Sequence, residues 1–131
     1  MIAFMLAGVL VASQSTDTIS ASIDVPEVII PAVEPYIDCL SQTQLTLSQQ
    51  AGPVHWQKMQ EIVEWTRERC ASVRALARKK ALRSIKRDKS VAVDQRAARV
   101  DEALANIDRS DDKFVAQVRR IDENQQAQNP K

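Results

Sequence analysis

Residues 56–85 read WQKMQEIVEWTRERCASVRALARKKALRSI, a stretch without proline or glycine. Within it Trp56, Met59, Val63, Thr66, Cys70, Val73, Ala77, Ala81 and Ile85 follow one another at threes and fours. At 100 degrees per residue these side chains form one stripe on a helix, whereas a half-buried strand would alternate apolar and polar residues at a period of two. The segment reads as a long amphipathic helix, and the rest of the chain must supply what covers its stripe.

Upstream, residues 34–50, EPYIDCLSQTQLTLSQQ, place Tyr36, Leu40, Thr43 and Leu47 at alternating spacings of four and three. Pro35 suits a first helical turn, and the AGP at residues 51–53 ends the element, with Gly52 as a left-handed cap and Pro53 forbidding continuation. A short first helix packed antiparallel on the long one follows. Cys39 and Cys70, the only cysteines, fall on the facing sides of this hairpin. In an oxidising compartment such a pair forms one structural disulfide, and its loop closure is worth roughly 3 to 4 kcal/mol. The register is strained, because Cys39 stands nearer in sequence to the turn at Gly52 than Cys70 does. The offset is about 7 Å of helical rise, more than a disulfide tolerates unless the second helix starts later than Val54 or the helices are staggered.

Downstream, Val93, Ala97, Val100, Leu104, Ile107, Asp111, Phe114, Val118 and Ile121 alternate four and three, the pattern of a coiled-coil seam, with Asp111 its only polar member. On one straight helix this stripe would sit about 120 degrees around the axis from the Cys70 stripe. The two are best separated by a turn near RDKS, residues 87–90, with Ser90 as a helix cap; the competing picture is a single helix of about 70 residues. Asp111 at a seam position reads either as a register-fixing buried polar group or as part of a local break at DRSDDK, residues 108–113, with Ser110 as cap. The fold class expected is all-α: a disulfide-linked hairpin of a short and a long helix, then a coiled-coil-like C-terminal helix. The seam residues Val93, Ala97, Val100, Leu104, Ile107, Phe114, Val118 and Ile121 are its expected helix-to-helix contacts.

The ends of the chain read differently. Residues 1–13, MIAFMLAGVLVAS, carry an apolar run suited to a signal peptide and too short to span a bilayer. Val11 and Ser13 are small residues at the minus-three and minus-one positions of a cut before Gln14, although no Lys or Arg precedes the run. No cysteine follows it to accept a lipid. Residues 14–33, with acids and no base, read as a flexible acidic linker. The helical domain is expected over 34–122 and a disordered polar tail over 123–131. Export makes the compartment periplasmic or extracellular and leaves no transmembrane span once the signal is removed.

Charge is segregated along the chain. Residues 1–66 hold one base and seven acids, residues 67–89 hold ten bases and two acids, and residues 90–131 hold seven bases and eight acids. The basic block makes Arg74, Arg78, Lys79, Lys80, Arg83, Lys86 and Arg87 an anion-binding surface, for a polyanion or an anionic membrane. No aromatic residue lies among them to stack a base or enter a bilayer, and the bland reading is a solvated helix neutralised by acidic neighbours.

Catalytic chemistry finds no foothold. His55 is the only histidine and stands at a helix start with no partnering base or nucleophile in view. Two glycines in the whole chain cannot build a phosphate-cradling loop. The acids at Glu61 and Glu64, or at Asp108, Asp111 and Asp112, lack the glycine turn of a calcium loop, and no spacing matches a metal site. The expected function is that of an exported, non-enzymatic helical protein without cofactor or metal, acting in protein–protein interaction or self-assembly in the cell envelope. The alternatives are binding of an anionic envelope component through the basic helix, or, if the N-terminus is not a signal, a cytosolic nucleic-acid-associated helical protein. Nucleic acid is a poor partner for an exported chain.

Overall fold

The structure, a computed structural model, describes residues 24–53 and 55–128. The expected signal peptide, the first half of the linker and the last three residues lie outside the described residues. Four helices form the fold: α1 (Ile30–Ala51), α2 (Trp56–Arg69), α3 (Ala71–Ser84) and α4 (Arg96–Gln128), with short 3-10 turns at Glu27–Ile29, Ile85–Arg87 and Val93–Gln95. No strand occurs among the described residues.

α2 and α3 are the single long helix read from the sequence, interrupted at Cys70. There φ and ψ shift to −95° and 5° while the Cys70 N–H still donates to the Thr66 carbonyl at 2.9 Å. One turn earlier, the Thr66 hydroxyl donates to the Ile62 carbonyl at 2.7 Å, a back-bond that competes for the ladder acceptor and bends helices. The stripe survives the bend, with Val63, Thr66, Cys70, Ala77, Ala81 and Ile85 all buried.

α1 runs antiparallel along this bent pair. It begins at Ile30, so Pro31 occupies the first turn and Pro35 stands inside the helix. The linker boundary is corrected accordingly: residues 27–33 are helical, and Ile29, Ala32 and Val33 belong to the core. The reason is visible in their composition, because Val28, Ile29 and Val33 carry apolar surface that packs into the core. Gly52 ends α1 with φ 72° and ψ −147°, a positive-φ conformation outside the left-handed helical region of the expected cap, and one open to glycine at low cost.

Cys39 and Cys70 stand at bonding distance, S–S 2.09 Å and Cα–Cα 6.0 Å. The register offset is absorbed by a late start of α2 at Trp56. Measured from the end of α1 and the start of α2, the two cysteines are offset by only about 3 Å of helical rise.

The chain turns over residues 85–95, so the Cys70 and Val100 stripes belong to different helices. Ser90 does not cap α4. Its N–H and hydroxyl both donate to the Asp88 carboxylate, which closes the turn and holds the Asp88 carboxyl below its usual range. α4 then returns antiparallel to α2 and α3 without a break at 108–113. Ser110 bonds back to the Ile107 carbonyl instead of capping a new helix. The expected disordered tail is corrected too, since helix continues to Gln128. Near the start of α2, the Asp122 carboxylate accepts the Trp56 N–H at 3.1 Å, filling one of the donors a helix N-terminus leaves open. The Arg119 guanidinium lies 4.6 Å over the Trp56 ring.

Candidate interaction surfaces

The seam residues of α4 divide into three groups. Val100, Leu104 and Ile107 are buried in the core with Tyr36, Leu40 and Ile85. Val93 and Ala97 are corrected: Val93 lies in the 3-10 turn ahead of α4 and is 75 % exposed, and Ala97 in the first helical turn is also exposed. The third group, Phe114, Val118 and Ile121, continues the stripe but is only partly covered, with Phe114 45 % and Ile121 51 % exposed. A strict seven-residue repeat drifts about 20 degrees per heptad on a straight helix. By Ile121 the stripe that starts at Ile107 has moved about 40 degrees, while Val115, Val118 and Asp122 take the half-buried positions.

Asp111 stays within the helix and is half-buried, and its Oδ2 has no hydrogen-bond partner among the described residues. Burial raises its carboxyl pKa above the usual range, against the opposing pull of Arg67.

The basic surface is also divided. Arg74 donates through Nε and Nη2 to Asp108 Oδ2 at 3.2 and 2.8 Å, and Arg78 donates to both Asp101 oxygens at 2.7 and 3.2 Å. Arg67 donates to the Asp108 carbonyl and to Asp112 Oδ1 at 2.6 and 2.9 Å. Tyr36 completes the cluster from α1 by donating its hydroxyl to Asp108 Oδ1. Burial first, and Asp108 second, push the Tyr36 phenol well above its usual pKa. Arg74 and Arg78 are thus ties between α3 and α4, a correction to their reading as free anion ligands.

Asp101, Asp108 and Asp112 are the partners of these arginines that sequence reasoning misses. A signal is present all the same: intervals of seven and four keep Arg67, Arg74 and Arg78 on one side of their helices, and Asp101, Asp108 and Asp112 on one side of α4. Antiparallel packing brings the two rows together with one reversed, so each interval of seven faces an interval of four, a mismatch of about 4.5 Å of helical rise on either side of the Arg74–Asp108 pair.

Lys79, Lys80, Arg83, Lys86 and Arg87 remain exposed and make no ion pair among the described residues. At 100 degrees per residue Lys79, Lys80 and Arg83 occupy an arc of about 100 degrees on the side of α3 opposite Ala77 and Ala81, and Lys86 and Arg87 lie in the 3-10 turn that follows. Leu76, 52 % exposed, lies inside the same arc.

An open groove of about 370 Å³ between α2 and α4 is lined by Trp56, Gln60, Glu64, Arg67, Asp112 and Arg119, among others, and Arg119 already covers the indole. Among the described residues no three His, Cys, Asp or Glu side chains converge as a metal site, and no helix is long and apolar enough to cross a membrane. His55 is exposed at the residue before α2. No protein-family model, curated protein or solved structure matches the chain.

Proposed function

We propose that this chain is an exported, non-enzymatic helical protein of the cell envelope, periplasmic or secreted, whose work is contact with another protein in an assembly. The observation that carries this reading is the distal half of α4, where Phe114 and Ile121 stay half-exposed on one stripe beside the partly covered Val118. Single exposed apolar residues are ordinary on a protein surface, but a continuous row of them rimmed by charge is the mark of a contact site. The bonded cysteine pair fits the oxidising side of a membrane, where such a bond persists.

The test is a photoreactive side chain at position 114 in the exporting bacterium. The expected result is a discrete protein adduct that is absent when the same group is placed at Lys113 and lost with Ile121→Asp. Equal labelling at both positions would overturn the reading. The mass of the recovered chain, expected to begin at Gln14 with both thiols blocked until reduction, tests export in the same sample.

The cationic outer face of α3 supports a second contact reading, because its five unpaired bases gain by counterion release against an acidic surface.

A further inference from the structure

The outer face of α1 is the chemical complement of the outer face of α3. α1 contains no Lys or Arg, and its exposed side carries Glu34, Asp38 and Leu45, which fall within about 40 degrees of one another on the helix. Neither acid has an ion-pair partner among the described residues. Leu45 is 59 % exposed. Asp38 and Glu34 precede Leu45 at the same two intervals, one heptad and then four further positions, at which Arg83 and Arg87 follow Leu76.

Two antiparallel helices in register at the leucines therefore place Leu45 against Leu76 and, about 10 Å along the contact, Asp38 against Arg83, with Glu34 one turn further on toward Arg87 in the 3-10 turn that follows α3. We infer that the occupant of the cationic α3 face is the acidic α1 face of a second copy of this chain. The leucine at the end of this basic row favours a protein partner over a polyanion, for which an apolar residue within the contact gains nothing. The lack of an aromatic among the bases points the same way, because base stacking and bilayer entry both use one.

Each face lies opposite the buried stripe of its own helix, and the stripes of α1 and α3 meet in one core. The two faces of a copy consequently point away from each other. The contact is head-to-tail, and it builds a ring where the rotation closes and an open chain where it does not. The contact is small, so it is weak, and its charge pairs make it salt-sensitive. This inference rests on the reading of the α3 face as a contact surface and is independent of the α4 stripe.

The experiment is sedimentation equilibrium of the full disulfide-bonded chain. At low salt the weight-average mass is expected to rise with concentration above that of one copy, and to return to it at about 0.5 M salt, where the screening length falls to about 4 Å. Asp38→Lys alone and Arg83→Glu alone are each expected to abolish the rise. An equimolar mixture of the two variants is expected to restore it, because the lysine introduced in one then meets the glutamate introduced in the other. Ile121→Asp is expected to leave the rise unchanged, which separates this contact from the α4 surface. A single-copy mass at every concentration in low salt, or a rise that survives both charge reversals, would overturn the inference. Arg83-dependent binding of the monomer to phosphatidylglycerol vesicles would overturn it in favour of an anionic membrane as the occupant.

Discussion

Breaking the Cys39–Cys70 bond tests how this thin core is held. Replacing both residues by alanine frees a loop of 31 positions in the unfolded chain. In the chain-entropy picture the closure term, −2.1 − 1.5R ln n, is about −12 cal/mol/K, or about 3.7 kcal/mol at 25 °C. Cys70 is fully buried, so truncation to Ala adds a small cavity worth about 1 kcal/mol. The variant is expected to lose about 4 to 5 kcal/mol, against a total stability of about 5 to 15 kcal/mol for an ordinary domain. At about 4 °C per kcal/mol for a domain near this size, the loss corresponds to roughly 15 to 20 °C in Tm. Urea unfolding followed by far-UV circular dichroism reads the effect, with the parent and the variant compared at one protein concentration. The urea slope should also steepen, because the uncrosslinked chain exposes more surface when it unfolds. A stability difference below about 1 kcal/mol would refute the reasoning, since it would mean that packing alone already confines α1 against α2 and α3 in both states.

Leu104→Ala, in the packed half of α4, is expected to cost about 2 to 5 kcal/mol in urea unfolding, whereas Phe114→Ala should cost about 1 kcal/mol or less. Tyr36 is the only tyrosine, so tyrosinate absorbance reports on it alone. Because burial and then Asp108 raise its pKa, the folded chain should show no tyrosinate near pH 10, and the stability it contributes should be complete below about pH 10 and decline above it as only the unfolded chain ionises. Asp108→Asn should bring the titration back toward its ordinary range. Asp111 carries a raised pKa from burial, so the parent loses stability as pH rises from the ordinary carboxylate value through the folded one; Asp111→Asn should be more stable at neutral pH, with the advantage vanishing in acid. Gly52→Ala meets no neighbour within 4 Å of the added methyl, so its cost, about 1 to 3 kcal/mol, should come from the backbone conformation alone and show in the thermal midpoint.

Periodicity made the hairpin legible. The stripes of Tyr36, Leu40 and Leu47 and of Val63, Cys70 and Ala81 were visible because each helix has one covered face, and a 3.6 period records that directly. The turn at 85–95 was legible for the same reason, since no single helix could present both the Cys70 and the Val100 faces to one core. Position along α4 was not legible. Spacing shows that Leu104 and Phe114 share a stripe, yet what covers a stripe depends on elements distant in sequence. The cationic surface failed in a similar way: ten bases in residues 67–89 announce charge, but only the antiparallel meeting of the basic and acidic rows decides that Arg74 and Arg78 are neutralised by Asp108 and Asp101. Ser90 and Ser110 matched the residue types of caps and failed because neighbouring groups, the Asp88 carboxylate and the Ile107 carbonyl, captured them locally.

The unequal coverage of α4 follows from the stretch most readily mistaken for a linker. Along residues 99–107, α4 meets α3 and also the arm that leads into α1. Asn106 donates to the Asp24 carbonyl at 3.1 Å, Arg99 pairs with the Asp24 carboxylate at 3.6 Å, and Val25, Val28 and Ile29 pack into the shared core. Three chain segments therefore surround Val100, Leu104 and Ile107, which is why they bury completely. α1 is about 33 Å long and α4 about 50 Å, and both start at the same end of the molecule. Past Asp108 the arm is absent and α1 follows the α2 side of the hairpin, joined to it by the Cys39–Cys70 bond. The distal half of α4 then rests on α2 alone, held by Arg119 and Asp122 at Trp56. The apolar stripe runs on because its heptad spacing does not stop at Asp108. Phe114 and Ile121 thus stay exposed for a topological reason: no further segment among the described residues covers them.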